Sequence, residues 1–284
     1  MPPLSASTLY NIEAMEKIIH KTTGTNPPSQ AADLLALRTG LSKGRIKDAM
    51  IKGAVWVKRR GSMKRLRKAT TILSPHDHVE IHYDEKLLAI KPPEPRLVSD
   101  QGYYSVWFKP SGLMAQGTMF GDHCSLLRLA ELHFQVQRQV FLVHRLDREA
   151  DGIMIIAHSK EAAARFSELF QKKLITKEYC VEVLGNLDTE CNKGVINLPL
   201  DNKEAVTEYE VISHDPQQNS TTVSAFIRTG RLHQIRRHFE MIGHPIMGDP
   251  KYGKGNKNKE GMKLTAVSLK FQCPFSKQEV SFTI

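Results

Sequence analysis

The sequence predicts an α+β protein in two parts, a small N-terminal helix–helix–strand module and a larger domain whose mixed, mainly antiparallel sheet is flanked by helices. Three observations carry this. At 284 residues the chain exceeds one typical domain. A stretch rich in proline and polar residues, "KPPEPRLVSD", interrupts it and reads as a linker. Before that stretch two helical patterns lead into a strand; after it, short β-branched runs and helical runs alternate irregularly, without internal repeat. The expected divisions are an N-terminal extension at 1–30, the module at 31–90, the linker at 91–101 and the large domain at 102–284.

In the extension, "NIEAMEKIIH" (11–20) is a short helical pattern and "KTTGTNPPSQ" a connecting segment. The module opens with a helix in "AADLLALRTG" and turns into a second helix that Ser42 caps, where Lys43 and Lys47 are four apart and share a face. A strand follows at 54–57, then another in "ATTILSPHDHVEIHY", with Val79 and Ile81 on one face and His78, Glu80 and His82 on the other. The large domain runs through strand "YSVWFK", turn "PSG" and helix "SLLRLAELH". Two buried strands at 140–143 and 153–157 come next, bounded by Gly152, and then a helix capped by Ser159 with Ala162, Phe166, Leu169 and Phe170 on one side. Strands in "EYCVEVL", "TEYEVIS" and "TVSAFIRT", a helix in "LHQIRRHFEMIG" and strands in "LTAVSLKF" and "EVSFTI" complete the plan.

Hydrophobic residues make up 40% of the chain and charged residues 25%, and no apolar run approaches the ~20 residues of a membrane span. The start "MPPLSASTLY" lacks a signal-peptide core, so a cytoplasmic protein without membrane association is expected. Cys124, Cys180, Cys191 and Cys273 have neither CxxC pairing nor zinc-type spacing, which points to free thiols. The net charge of +10 is concentrated: eleven cations against Asp48 lie between Lys43 and Lys68, equal to the whole excess. Such a field is the footprint of a polyanion partner, nucleic acid before acidic membrane.

In "VFLVHRLDREADGIMIIA" the loop between the two buried strands gathers His144, Arg145, Asp147, Arg148, Glu149 and Asp151. Asp147 falls where its strand ends, close to fixed positive charge, and is a candidate for chemistry; a polar turn with local salt bridges is the plainer alternative. "HRLD" is not the His-Arg-Asp of a kinase catalytic loop, because Leu146 intervenes and the nucleotide- and magnesium-holding motifs are missing. A GxSxG elbow and a P-loop are absent too. His76, His78 and His82 read as surface beside a basic patch, and no metal is expected. A second loaded segment is "RTGRLHQIRRHFEMIGHPIMGDPKYG". There Gly230 ends a strand, Arg231 starts a turn, and a helix sets Arg231, Gln234 and His238 near one edge with Arg236 and Arg237 beside it.

"HRLDREADG" and "GRLHQIRRHFEMIGHPIMGDPKYG", taken with "FKPSG", "KEYCVEVLG" and "TEYEV", resemble the RluA family of RNA pseudouridine synthases in motif order and separation from about residue 103 to 284. "LSKGRIKDAMIKGAVWV" resembles the small alpha-L RNA-binding module named after a ribosomal protein, although the first helix lacks that module's usual Arg-apolar-Asp start. The catalytic domain departs from its family in three places. Ala150 and Asp151 replace Thr and Ser, Thr265 replaces His, and Phe108 replaces the Asn before "KPSG".

The resemblance implies an isomerase that converts specific uridines of structured RNA to pseudouridine with no cofactor. Asp147 would be the catalytic aspartate, nucleophile or base toward the ribose, and Arg231 would pair with it. Tyr179 would stack on the uracil, and Arg145 would fill the gap left by a flipped base. Gln234 and Arg236 are further substrate-binding candidates from the second segment, with His144, which reads more as a structural residue. Lys43, Arg45, Lys47, Lys58, Arg59, Arg60, Lys64 and Arg65 form the expected RNA grip. Ribosomal RNA is favoured over transfer RNA as the partner, and a monomer is expected. The altered "ADG" leaves a catalytically inactive RNA-binding protein as the alternative.

Overall fold

The computed structural model describes residues 17–134, 136, 138–187, 192–253, 256 and 260–284. Two compact units emerge: the described residues up to Lys91 with Gly117–Cys124, and Pro92–Gln116 with Ser125–Ile284.

The first unit runs β1 (Lys17–Thr23), β2 (Ser29–Gln30), α1 (Ala31–Thr39), α2 (Lys43–Ile51), β3 (Val55–Arg59), β4 (Ser62–Arg65), β5 (Ile72–Leu73), β6 (His78–Asp84) and α3 (Glu85–Ala89). Ser42 caps α2 by accepting from the Arg45 amide. An antiparallel sheet in the order β1-β6-β3-β4 turns Val55, Val57, Val79 and Ile81 inward, where they pack on Leu35, Ile46 and Met50 of the helices. At Gly53, with φ +81°, a Cβ would lie 2.4 Å from the Asp122 carboxylate, because 117–124 folds back here and the Asp122 amide donates to the Lys52 carbonyl.

Two sequence expectations change here. Lys17–Thr23 is a strand, not the end of a helix, since all seven residues pair with β6. Residues 11–16 of that expected helix lie outside the described residues. Residues 17–30 are thus built into this unit through β1 and β2 rather than preceding it.

The second unit contains β7 (Arg96–Asp100), β8 (Tyr104–Lys109), α4 (Leu126–His133), β9 (Phe141–Leu142), β10 (Asp151–Ala157), α5 (Lys160–Gln171), β11 (Thr176–Leu184), β12 (Lys193–Asn197), β13 (Val206–Asp215), β14 (Ser220–Ile227), α6 (Gln234–Met241), β15 (Leu264–Gln272) and β16 (Glu279–Thr283). Its sheet runs β12-β13-β14-β11-β15-β10-β8-β7, with β16 on β15 and β9 on β10. Among the described strands of this sheet only β10 and β15 pair in parallel, so it is mixed and mainly antiparallel. Part of the expected linker, Arg96–Asp100, is strand β7 and belongs to this sheet.

After Asp151, strand β10 is apolar because both its faces are covered. Met154 and Ile156 enter the core that α4 and α6 close with Leu126, Ala130, Ile235 and Phe239, while Ile153 and Ile155 meet Tyr104, Phe166 of α5, Leu269 and Phe271. At Gly152, with φ +119°, a Cβ would stand 2.3 Å from the Ala266 carbonyl oxygen; the close passage of β15 excludes any side chain there. Cys124, Cys180 and Cys273 are free thiols, and Cys191 lies outside the described residues. No helix among the described residues is long and apolar enough to cross a membrane.

Candidate active site

A cleft of about 310 Å³ opens in the second unit where the loop before β10, the face of β11 and the start of α6 meet; Asp147, Tyr179, Lys177, Arg145, Arg231 and His233 line it. The turn after β8 holds that loop. Lys109, with no exposed surface, points its ammonium at the carbonyls of Leu113 (2.8 Å), Ala150 (2.5 Å), Pro110 (3.1 Å) and Arg148 (3.4 Å). The Gly112 amide donates to the Arg148 carbonyl and the Ser111 hydroxyl to that of Glu149. Burial lowers the Lys109 pKa to about 8, opposed by the charges of Asp151, Asp147 and Glu149. The "FKPSG" motif therefore acts as a buried clamp on the backbone around Asp147.

On the other side of the cleft, Arg236 of α6 is 2% exposed and lies between carboxylates. Its Nη1 donates to Asp147 Oδ2 at 3.0 Å, while Nε and Nη2 form a forked pair with Asp249 Oδ2 (2.7 Å) and Oδ1 (2.9 Å). Burial works against the arginine charge, and the bonds to Asp249 and Asp147 more than offset it, so the guanidinium is held above its ordinary pKa. Asp249 is fully buried and also accepts the Lys251 and Tyr252 amides of the "GDPKYG" turn. Burial alone would raise its carboxyl; Arg236 and those amides bring it below the ordinary range. This fixes one carboxylate oxygen of Asp147 and leaves Oδ1 without a hydrogen bond among the described residues, 3.9 Å from His233 Nε2. His233 has φ +53°, an uncommon conformation for a side-chain-bearing residue, and its Nδ1 is 3.0 Å from the Tyr252 hydroxyl. Desolvation, more than its charged neighbours, lowers the His233 pKa and keeps the ring neutral.

Tyr179 stands on β11 where the pairing with β15 shifts register, the extra residue, Val267, lying on β15. Burial, and then the charge of Asp147, push its phenol well above the ordinary value, so it is a neutral ring and hydroxyl beside the aspartate.

A profile of the RNA pseudouridylate synthase family matches residues 103–241. The chain is 32% identical over 175 residues to the tRNA pseudouridine synthase C of Haemophilus ducreyi, covering 53% of this chain and 71% of that protein. It is 33% identical over 190 residues to the dual-specificity RNA pseudouridine synthase RluA of Vibrio vulnificus, covering 59% and 74%. The chain belongs to this family. Similarity to an uncharacterised RNA pseudouridine synthase of Mycoplasma pneumoniae, the MG209 homolog, is 28% over 94% of this chain and 91% of that one. The solved structure of human RNA pseudouridylate synthase domain containing 1 shares the fold with a TM-score of 0.58 at 20% identity, over 69% of this chain and 86% of that one.

Within this synthase, three sequence-derived assignments change. Arg231 lines the cleft, but its Nε donates to the Glu204 carbonyl at 3.0 Å, and the arginine paired with Asp147 is Arg236. Gln234 is 3% exposed and saturated by protein: its oxygen accepts from Thr229 Oγ1 and the Arg231 amide, and its nitrogen donates to the Val206 carbonyl and Thr207 Oγ1. It shapes the turn and has no valence left for substrate. His144 is committed to the fold through one ring nitrogen. Its Nε2 accepts the Ile155 amide at 2.9 Å and its ring lies 4.6 Å from that of Phe170; burial and then Lys177 drive its pKa to about 3. Arg145 is exposed at the mouth of the cleft. Sequence reasoning missed Asp249, Lys109 and His233, though "GDPKYG" and "FKPSG" were visible as tight turns. Two of the departures from the family pattern, Asp151 and Thr265, are register partners across β10 and β15, and Asp151 Oδ1 is buried without a hydrogen bond among the described residues.

The basic stretch of the first unit divides. Lys43 pairs with Asp33 (2.9 Å), Arg45 with Glu85 (2.9 Å) and Arg59 with Asp77 (2.8 Å). Arg65 bonds Asp122 at 3.0 Å and lies over the Trp56 ring at 4.2 Å. Among the described residues, Lys47, Lys58, Arg60 and Lys64 have no carboxylate partner. The expected grip thus contains four committed cations and four available ones.

Proposed function

We propose that this synthase isomerises specific uridines in a structured RNA, ribosomal rather than transfer RNA, with Asp147 as the catalytic carboxylate. The observation that carries the reading is the Asp147–Arg236–Asp249 arrangement: one oxygen of Asp147 is fixed by a buried guanidinium and the other is left open in a cleft walled by Tyr179. The reaction breaks the N1–C1′ glycosidic bond of uridine, turns the held uracil and joins its C5 to the ribose, C5 losing its proton and N1 gaining one, with no net oxidation or group transfer. Arg236, through its bond to Asp147 Oδ2, holds the carboxylate oriented toward the ribose. Tyr179 offers the flat surface on which the detached base is retained and, as a neutral phenol, can donate a proton. Arg145, exposed and planar-headed, suits the gap in the RNA stack left by the everted nucleotide. We assign the first unit as an alpha-L-type module that holds RNA through Lys47, Lys58, Arg60 and Lys64.

The test is pseudouridine mapping in ribosomal and transfer RNA from cells with wild-type protein, with Asp147→Asn and with none. Defined positions are expected to lose pseudouridine equally in the last two. A map unchanged in all three, or an Asp147→Asn protein as active as wild type, contradicts the assignment.

A further inference from the structure

A second cleft, of about 720 Å³, adjoins the catalytic one and shares with it Arg145, Lys177, Ile227, Gly230 and Arg231. Beyond that border it is lined by two aromatic rings, Phe170 and Phe226, and by Lys173 and Arg228. Lys177 stands at the junction, two residues before Tyr179 on β11, so both side chains leave the same face of the strand. Its ammonium is half-buried. Among the described residues it has no hydrogen-bond acceptor and no carboxylate, and it stands 5.8 Å from the centroid of the Phe170 ring. Of the acids around it, Glu178 accepts from Ser224 across the sheet and Glu208 is paired with Arg228 at 2.6 Å, while Glu204 is an exposed residue of the cleft lining. Burial lowers the Lys177 pKa to about 8. A desolvated cation that the protein does not neutralise, facing open space, is stabilised by an anion that arrives with the ligand.

Resting on the synthase reading above, we propose that the second cleft seats the nucleotide next to the target uridine, and that Lys177 binds the phosphate linking the two. A polynucleotide with its uridine at Asp147 must leave the catalytic cleft through this junction or past it, and carries one anion per linkage. Phe170 and Phe226 supply apolar faces for a base irrespective of its identity, and Arg145 and Arg231 flank the shared border. The site fixes strand register rather than reading sequence.

The test uses the labelled oligoribonucleotide 5′-CCCUCCC-3′ and full-length protein. Each linkage in turn is replaced by a neutral methylphosphonate, with the same 2′-hydroxyls methylated in every oligomer. Wild type should lose about tenfold in affinity at one of the two linkages flanking the uridine, and Lys177→Met should bind the all-phosphate oligomer about tenfold more weakly without further loss at that linkage. Lys177→Arg should restore the sensitivity. Additive losses from variant and neutral linkage, or a wild type indifferent to both flanking linkages, overturn the assignment. If the same wild-type preparation converts uridine in cellular RNA, the synthase reading survives that result; if it converts none, the reading and this site fall together.

Discussion

The basic stretch of the first unit and the guanidinium of Arg236 are both positive charge in an RNA-modifying enzyme, yet their surroundings are opposite. Lys43 and Arg45 meet carboxylates one to one at the surface, where each pair adds about 0–1 kcal/mol, and the half-exposed Arg59 forks onto the buried Asp77. Arg236 is buried between Asp147 and Asp249, and removing one member would leave an uncompensated charge at a cost of about 3–5 kcal/mol. Charge near water is distributed and replaceable, so it serves affinity. Charge inside the cleft is fixed in direction and serves one carboxylate. Counting cations along the sequence registers the first kind and is blind to the second.

The comparison breaks first at Asp249. Asp249→Asn keeps the shape but removes the charge that holds Arg236, and single-turnover pseudouridine formation should fall by about 10- to 100-fold with little change in RNA affinity. A rate within twofold of wild type would mean that Arg236 needs no second carboxylate.

His144 sharpens it on the side of stability. Its pKa is about 3 folded against an ordinary 6.5 unfolded, so the unfolded chain takes the proton first. Stability from the neutral ring is complete above pH 6.5 and is lost as pH falls toward 3, with a limiting slope of about 1.4 kcal/mol per pH unit. Chemical denaturation at pH 7, 6 and 5 should show a steeper decline for wild type than for His144→Gln, which keeps an acceptor for the Ile155 amide but does not titrate. Parallel declines would remove His144 as the cause.

The smallest effect lies in the first unit. Replacing Lys58, Arg60 and Lys64 together with Gln should reduce the log–log salt slope of RNA binding by roughly 0.7–0.9 for each phosphate no longer neutralised. Arg59→Gln, which removes a cation already paired with Asp77, should change it much less. Equal slope changes per residue would show that pairing does not set availability.

Much of this molecule is readable from its residues, and the failures share a cause. The run "GIMIIA" and the Ser159 cap give β10 and α5, because burial on both faces and a local hydrogen bond leave signatures in sequence. "KIIH" at 17–20 closes a stretch with the composition of a helix, but seven residues of partner strand β6 override that local preference from Lys17 onward. Asp147 is legible as a carboxylate in the charged loop between two apolar runs, although it lies in mid-loop, four residues before β10, rather than at the expected strand end. Its partner is not, because Arg231 and Arg236 belong to one basic run. Which of them turns inward is decided by the left-handed backbone at His233 and by Asp249, thirteen residues beyond Arg236 in the chain.

The central claim is that Arg236, and not Arg231, holds Asp147, the carboxylate proposed as catalytic. Single-turnover rates at saturating RNA for Arg236→Lys and Arg231→Lys, measured side by side, address it directly, since an ammonium cannot bridge Asp147 and Asp249 with a planar fork. Arg236→Lys should lose about 100-fold or more and Arg231→Lys less than about tenfold. The reverse order, or equal losses, would contradict the account.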